Sequence, residues 1–174
     1  DTFLNGEGSR CRSNDDDSAT AFISQVVKAD LPDAERLLLV NGRVRLLGAC
    51  TWEGASLGDA QLVQSAPGRE LRTYLQAAGD FYSGRFGDAQ RGFVAAAAGS
   101  LPWVKETALY MIARTELNQA QENAFDEYGM PQLERVDKSV LANSDTSFNL
   151  YLNTYPQGEY ALSAQGLLRR VHWL

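Results

Sequence analysis

Few residues of this chain have the type and spacing to carry covalent chemistry. His172 is the only histidine. A general base needs a positioned partner, and its neighbours Arg170 and Trp173 suggest a helix face rather than a catalytic group. Asp126-Glu127 and the pair Glu116 and Glu122 offer carboxylates for hydrolytic acid/base work, but at helical spacing such groups are ordinarily solvated. Asn14-Asp15-Asp16-Asp17 has the acid density of a calcium loop. It lacks the glycine and the bidentate glutamate at the required positions, so it reads as an acidic helix cap. There is no Gly-x-Ser-x-Gly elbow and no phosphate-binding loop. Two cysteines and one histidine without close spacing do not build a zinc site. The expectation is a non-enzymatic chain with no catalytic residue, no metal and no cofactor.

The remaining chemistry is that of cross-linking and recognition. In an exported protein Cys11 and Cys50 would pair, which closes a loop worth about 4 kcal/mol by chain entropy. In a cytosolic one they would stay two thiols. Bulk properties bound the partners. The chain has 174 residues, 44% of them hydrophobic and 22% charged, with net charge −6. That is ordinary for a single globular domain with a real core. The acidic balance argues against nucleic acid, whose binders need a basic field. No apolar run approaches the ~20 residues that span a bilayer. The sequence starts at Asp1 and shows no signal-peptide core, as expected of a processed protein or a piece of a longer one.

The elements that must position these residues are helical. Residues 1–17 are rich in turn formers and read as an irregular leader. Asp17 or Ser18 caps a helix over 18–29 with Phe22, Ile23, Val26 and Val27 inward. Pro32 opens a second helix, whose buried side is expected to be Leu37, Leu38, Val40, Val44, Leu47 and Cys50. Asn41-Gly42 leaves a β-hairpin open there, but no other strand pair exists for a hairpin to join. A short segment follows at 57–65. Further helices are expected at 68–83, 87–98, 102 to about 126, about 134–154, and from Glu159 to near the end. Residues 18–174 then form one all-α domain of stacked antiparallel helical hairpins.

A degraded repeat runs through these helices. Its best copy is Gly84-x-Phe86-x-x-Ala89-x-x-x-Phe93-x-x-Ala96, and Gly58-Asp59-Ala60-Gln61 echoes Gly87-Asp88-Ala89-Gln90. Ala77, Ala89 and Ala96 permit close helix approach. Gly84 supplies a turn with positive φ, and Phe81, Phe86 and Phe93 fill the space between hairpins. This pattern resembles the tetratricopeptide repeat, although the usual first-helix tryptophan and Leu-Gly pair are replaced by Leu75 and Ala77. The stretch Phe148-x-x-Tyr151-Leu152-x-x-Tyr155-Pro156, with Tyr160-Ala161-x-x-Ala164, is similar to tetratricopeptide proteins of the Gram-negative envelope, including the Tol–Pal-associated protein and outer-membrane assembly lipoproteins.

The resemblance implies a TPR-like superhelix that acts as a scaffold for a protein or peptide partner, exported to the periplasm or outer membrane. Family members bind through a surface lined by first helices. On that register Tyr74, Tyr82, Tyr110, Arg114, Asn118 and Arg170 line the groove, with large contact area and directed hydrogen bonds. Two other classes stay open: the helical arm of a larger cell-wall enzyme such as a lytic transglycosylase, and a structural homo-oligomer. The apolar stripe Leu167, Leu168, Val171, Trp173 and Leu174 bears on the latter. It folds back, docks on another subunit, or continues into further chain; continuation is the expectation, since terminal repeats need polar caps.

Overall fold

The computed structural model describes residues 10–50 and 56–174. Among them are seven α-helices: α1 (Asp16–Lys28), α2 (Asp33–Arg45), α3 (Ala66–Tyr82), α4 (Phe86–Ala97), α5 (Pro102–Ala120), α6 (Lys138–Thr154) and α7 (Ala161–Trp173). Short 3-10 turns lie at Leu46–Gly48, Gly58–Leu62 and Leu133–Arg135. Among the described residues there is no strand, only an isolated bridge between Phe125 and Pro131. The fold is all-α.

Local chemistry sets the helix starts. Asp15 caps α1 and forms a reciprocal capping box with Ser18, which satisfies two orphan amide donors. Ser65 caps α3 and Asp137 caps α6. Proline stands in the first turn of α3 and α5 and immediately before α2, where its missing N–H costs nothing.

From α3 onward consecutive helices pack as antiparallel pairs, because contacting residues lie symmetrically about each connection. Across Gly84, Ala77 meets Gly92. Across 98–101, Gln90 Nε2 donates to Glu116. Across the 121–137 loop, Ser144 Oγ donates to the Ala113 carbonyl and Tyr151 to Glu106. Across 155–160, His172 meets Asp145. Helices two apart also touch, α3 with α5 and α5 with α7, so the pairs stack.

The stack has a period. Pro32, Pro67 and Pro102 recur every 35 residues. Glu35, Glu70 and Glu106 follow them, and each accepts hydrogen bonds at the start of a later element. Glu35 takes the amides of Gln64 and Ser65 and the Ser65 hydroxyl. Glu70 takes the amides of Ser100 and Leu101 and the Ser100 hydroxyl. Glu106 takes the Glu159 amide and the Tyr151 hydroxyl. Small residues mark the matching crossings. A Cβ on Gly42 would meet Ala60 Cβ at 3.0 Å and one on Gly92 would meet Ala77 Cβ at 2.7 Å, while at the third crossing Ala113 faces Ser144.

This frame corrects several expectations. The first repeated pair is α2 with the Gly58–Leu62 turn, and α1 lies outside the period. In α2 the buried residues are Leu39, Gly42 and Arg43, followed by Leu46 in the next turn. Leu37 and Val44 are at least half exposed, and Leu47 and Cys50 are also exposed. The inward face is set by the small residue at position 42, which the close approach of Ala60 and Leu75 requires; Asn41-Gly42 is helix, not hairpin. In α1 Phe22 and Val26 are buried, Ile23 partly, and Val27 is exposed. Helix α5 stops at Ala120, and residues 121–137 form a turn-rich loop in which the Asp126 carboxylate accepts from the amides of Tyr128 and Met130. Asn143, Ser144 and Asp145 do not interrupt α6. Helix α7 folds back on α6: Val171 and Leu174 are buried, while Trp173 is half exposed. In the leader, residues 10–12 form a helical turn; residues 1–9 lie outside the described residues.

Candidate functional site

The proline-led helices α2, α3 and α5 present one common face, and the chain's own N-terminal segment lies on it. Phe22 of α1 stacks on Tyr74 of α3 (centroids 5.9 Å apart) and meets Trp103 of α5 edge-on at 6.3 Å. Arg43 of α2 is buried and donates to Asn14 Oδ1 at 3.1 Å and Ser18 Oγ at 2.8 Å. Tyr82 donates to the Ser13 carbonyl at 3.2 Å, and Arg114 donates to Ser13 Oγ at 2.9 Å. Arg43, Ala78 and Arg114 occupy equivalent places in the three repeats, so the two arginines grip the segment from either side of a small residue. Cys11 is joined to Cys50 with a Cα separation of 5.9 Å, which fastens the segment to the end of the α2 region.

Beside this segment a cavity of about 320 Å³ remains open. Its walls are aromatic: Tyr74, Tyr82, Trp103, Tyr110 and Tyr160. Tyr110 and Tyr160 stack in parallel with centroids 4.6 Å apart, and their hydroxyls are anchored on Ser163 and Thr107. Arg114 lies over the rings of Phe81 and Tyr110, at 5.2 Å and 5.7 Å. It meets no carboxylate among the described residues; its polar contacts are Ser13 Oγ and the Met111 sulfur. Asp17 and Glu159 stand exposed at the rim. Burial pushes the Tyr74 and Tyr160 hydroxyls well above the usual phenol range, so both stay neutral. The result is an amphipathic pocket with ring faces, one guanidinium and flanking carboxylates. Its size is at the small end of the ~300–1,000 Å³ of ligand sites, which suits side chains of a docked segment rather than a whole helix.

Of the residues expected to line a groove, Tyr74, Tyr82, Tyr110 and Arg114 converge on this cavity. Asn118 is buried and donates to the carbonyl of Arg114 one turn earlier. Arg170 is half-buried and held by Gln121 Oε1 at 2.8 Å. Neither lines the cavity. Trp103, Tyr160, Arg43 and Ser13 belong to the face and were not expected there. The 35-residue recurrence of proline would have revealed Arg43, because it places α2 rather than α1 in register with α3 and α5. Ser13 carried no signal, since nothing local marks a leader that docks on a distant helix.

Among the described residues no group of three or more His, Cys, Asp or Glu is placed to hold a metal ion, and no helix is long and apolar enough to cross a membrane. No family model matches the chain, and no curated protein and no solved structure is found similar to it.

Proposed function

We propose that the chain is a non-enzymatic scaffold that docks a polypeptide segment on the face made by α2, α3 and α5, in the manner of tetratricopeptide-repeat proteins. The observation that carries this reading is occupancy. That face already holds a helix of the same chain and the turn that leads into it, gripped by Arg43, Tyr82 and Arg114 and packed by Tyr74 and Trp103. A surface that binds one segment through side-chain hydrogen bonds and ring contacts has the chemistry to bind another. Tyrosine, tryptophan and arginine are the residues in which interface energy concentrates. The Cys11–Cys50 bond supports an oxidising compartment, which fits the periplasmic or outer-membrane location implied by the resemblance to envelope proteins.

The test is selection of peptides from a display library on the oxidised protein, followed by affinity measurement on variants. Trp103→Ala and Arg114→Ala should each weaken the selected peptides at least tenfold. Trp173→Ala, on the exposed end of α7, should leave them unchanged. Equal affinity for wild type, Trp103→Ala and Arg114→Ala would remove the cavity from the binding surface and end this reading.

A further inference from the structure

The contacts of residues 10–14 describe a seat built for a particular side chain. Arg10 is almost completely buried although it belongs to the leader. Its Nη1 donates to the Phe81 carbonyl at 2.9 Å, in the last turn of α3, where the helix dipole favours a cation. Its guanidinium lies 5.4 Å from the centre of the Phe86 ring, within the range of a cation–π contact. The third wall is an absence: Gly84 has φ +77°, and a Cβ there would come within 3.2 Å of Arg10 Nη1. Three residues further on, Ser13 accepts from Tyr82 and Arg114. Asn14 bridges the Leu46 carbonyl and Arg43.

Between these anchors sits Cys11, tied to the exposed Cys50. The main chain already tethers the occupant through α1, and the cross-link adds a second tether that raises its effective concentration at the seat further. Opening the bond removes that advantage without touching the seat.

We propose that residues 10–14 are a disulfide-latched occupant of the docking face, and that once Cys11–Cys50 is opened the seat accepts a partner segment carrying arginine three positions ahead of serine. The chemistry needs a dithiol reductant. One of its thiolates attacks Cys50 Sγ and expels Cys11 as thiolate. The second thiol then closes on the first sulfur to give a cyclic disulfide and releases Cys50. Two electrons and two protons pass from the dithiol to the two cysteines. The inference rests on the docking function proposed above, but release of the latch is measurable with no partner present.

Trypsin cleavage after Arg10 reports that release directly, because a buried arginine cannot enter the protease. On adding a dithiol, cleavage at the Arg10–Cys11 bond should accelerate at least tenfold more than cleavage after Lys105 and Arg114 within α5, which follows the loss of global stability. An unchanged rate at Arg10, or equal acceleration at all three sites, overturns the latch. The seat's preference is tested with a labelled peptide of the sequence Arg10–Asp17 carrying serine for Cys11. It is added to a chain whose own occupant is weakened by Arg10→Ala, Ser13→Ala and Cys50→Ser, with helicity checked by circular dichroism. This peptide should bind at least tenfold more tightly than its Arg10→Ala form, and at least tenfold more tightly than it binds the oxidised wild-type protein. Equal binding of the two peptides, or equal binding to the oxidised protein, overturns the arginine seat. If the triple variant does not fold, the protease measurement on wild type decides.

Discussion

At the scale of single residues, the repeat sequence translated directly into packing. Ala77, Ala89, Ala96, Phe81, Phe86 and Phe93 are all buried, and Gly84 takes the left-handed turn expected of it. Phe93 is fully enclosed and meets Tyr74 at 5.8 Å. Phe93→Ala should therefore cost about 3–5 kcal/mol, read as a lowered denaturant midpoint at unchanged m. Gly84→Ala should cost roughly 1–2 kcal/mol for the positive φ alone; because it also crowds Arg10, it should raise cleavage after Arg10 in the oxidised protein. Glu116 gives a prediction of opposite sign. Burial between α4, α5 and α6 pushes its carboxyl pKa up, against hydrogen bonds from Ser147 and Gln90. A carboxyl with a raised folded pKa holds its proton more tightly in the native state. Stability is thus lost as pH rises through the range just above the ordinary carboxyl value. Glu116→Gln should raise Tm at pH 7, and the difference should shrink toward zero below pH ~4, where the wild-type group is protonated in both states.

At the scale of elements, Glu35, Glu70 and Glu106 are the staples of the stack. Each sits early in one helix and ties down the start of another element. The Glu35 carboxyl is held below its usual range by the Ser65 hydroxyl and the Gln64 amide. For Glu70, burial pushes upward, but the Ser100 hydroxyl and the Leu101 and Ser100 amides outweigh it. Lowered folded values mean stability that is present above the ordinary glutamate range and is lost as pH falls through it. Titrating Tm from pH 7 to 3 should show a decline in wild type that is shallower in Glu70→Gln. These staples also show why the sequence was only partly legible. Helix existence followed from apolar spacing and proline. The inward face of α2 did not, because Leu37, Val40, Val44 and Leu47 make as good a stripe as Leu39, Arg43 and Leu46. Only the match of Gly42 to Ala77 and Ala113 across repeats separates the two. The same tetrapeptide, Gly-Asp-Ala-Gln, forms a 3-10 turn at 58–61 and part of an α-helix at 87–90, so tertiary setting decided its geometry. Four of six expected groove residues share one cavity because first-helix register is fixed by the repeat. Asn118 and Arg170 depart from it because one turns back on its own helix and the other is held by Gln121 at the end of α5.

At the scale of the whole molecule, a single apolar core runs from Phe22 to Leu174, and the N-terminal segment joins the stack along its face rather than at its end. Removing the cross-link by Cys11→Ser with Cys50→Ser should lower the unfolding free energy by about 4 kcal/mol on the chain-entropy account, measured by urea titration against the oxidised protein. The bond has a further meaning if the molecule is ever pulled. It joins positions 39 residues apart in the chain, so a load applied to the two termini passes from Cys11 straight to Cys50. Helices α1 and α2 then lie in a shunted loop that carries no tension. Stretched between its ends, the oxidised molecule should reach a contour shorter by about 125–135 Å than the reduced one, at ~3.3–3.6 Å for each sheltered residue less the 5.9 Å that the bridge spans. Arg43, Asn14 and Ser18 would stay together under strain that strips away α6 and α7.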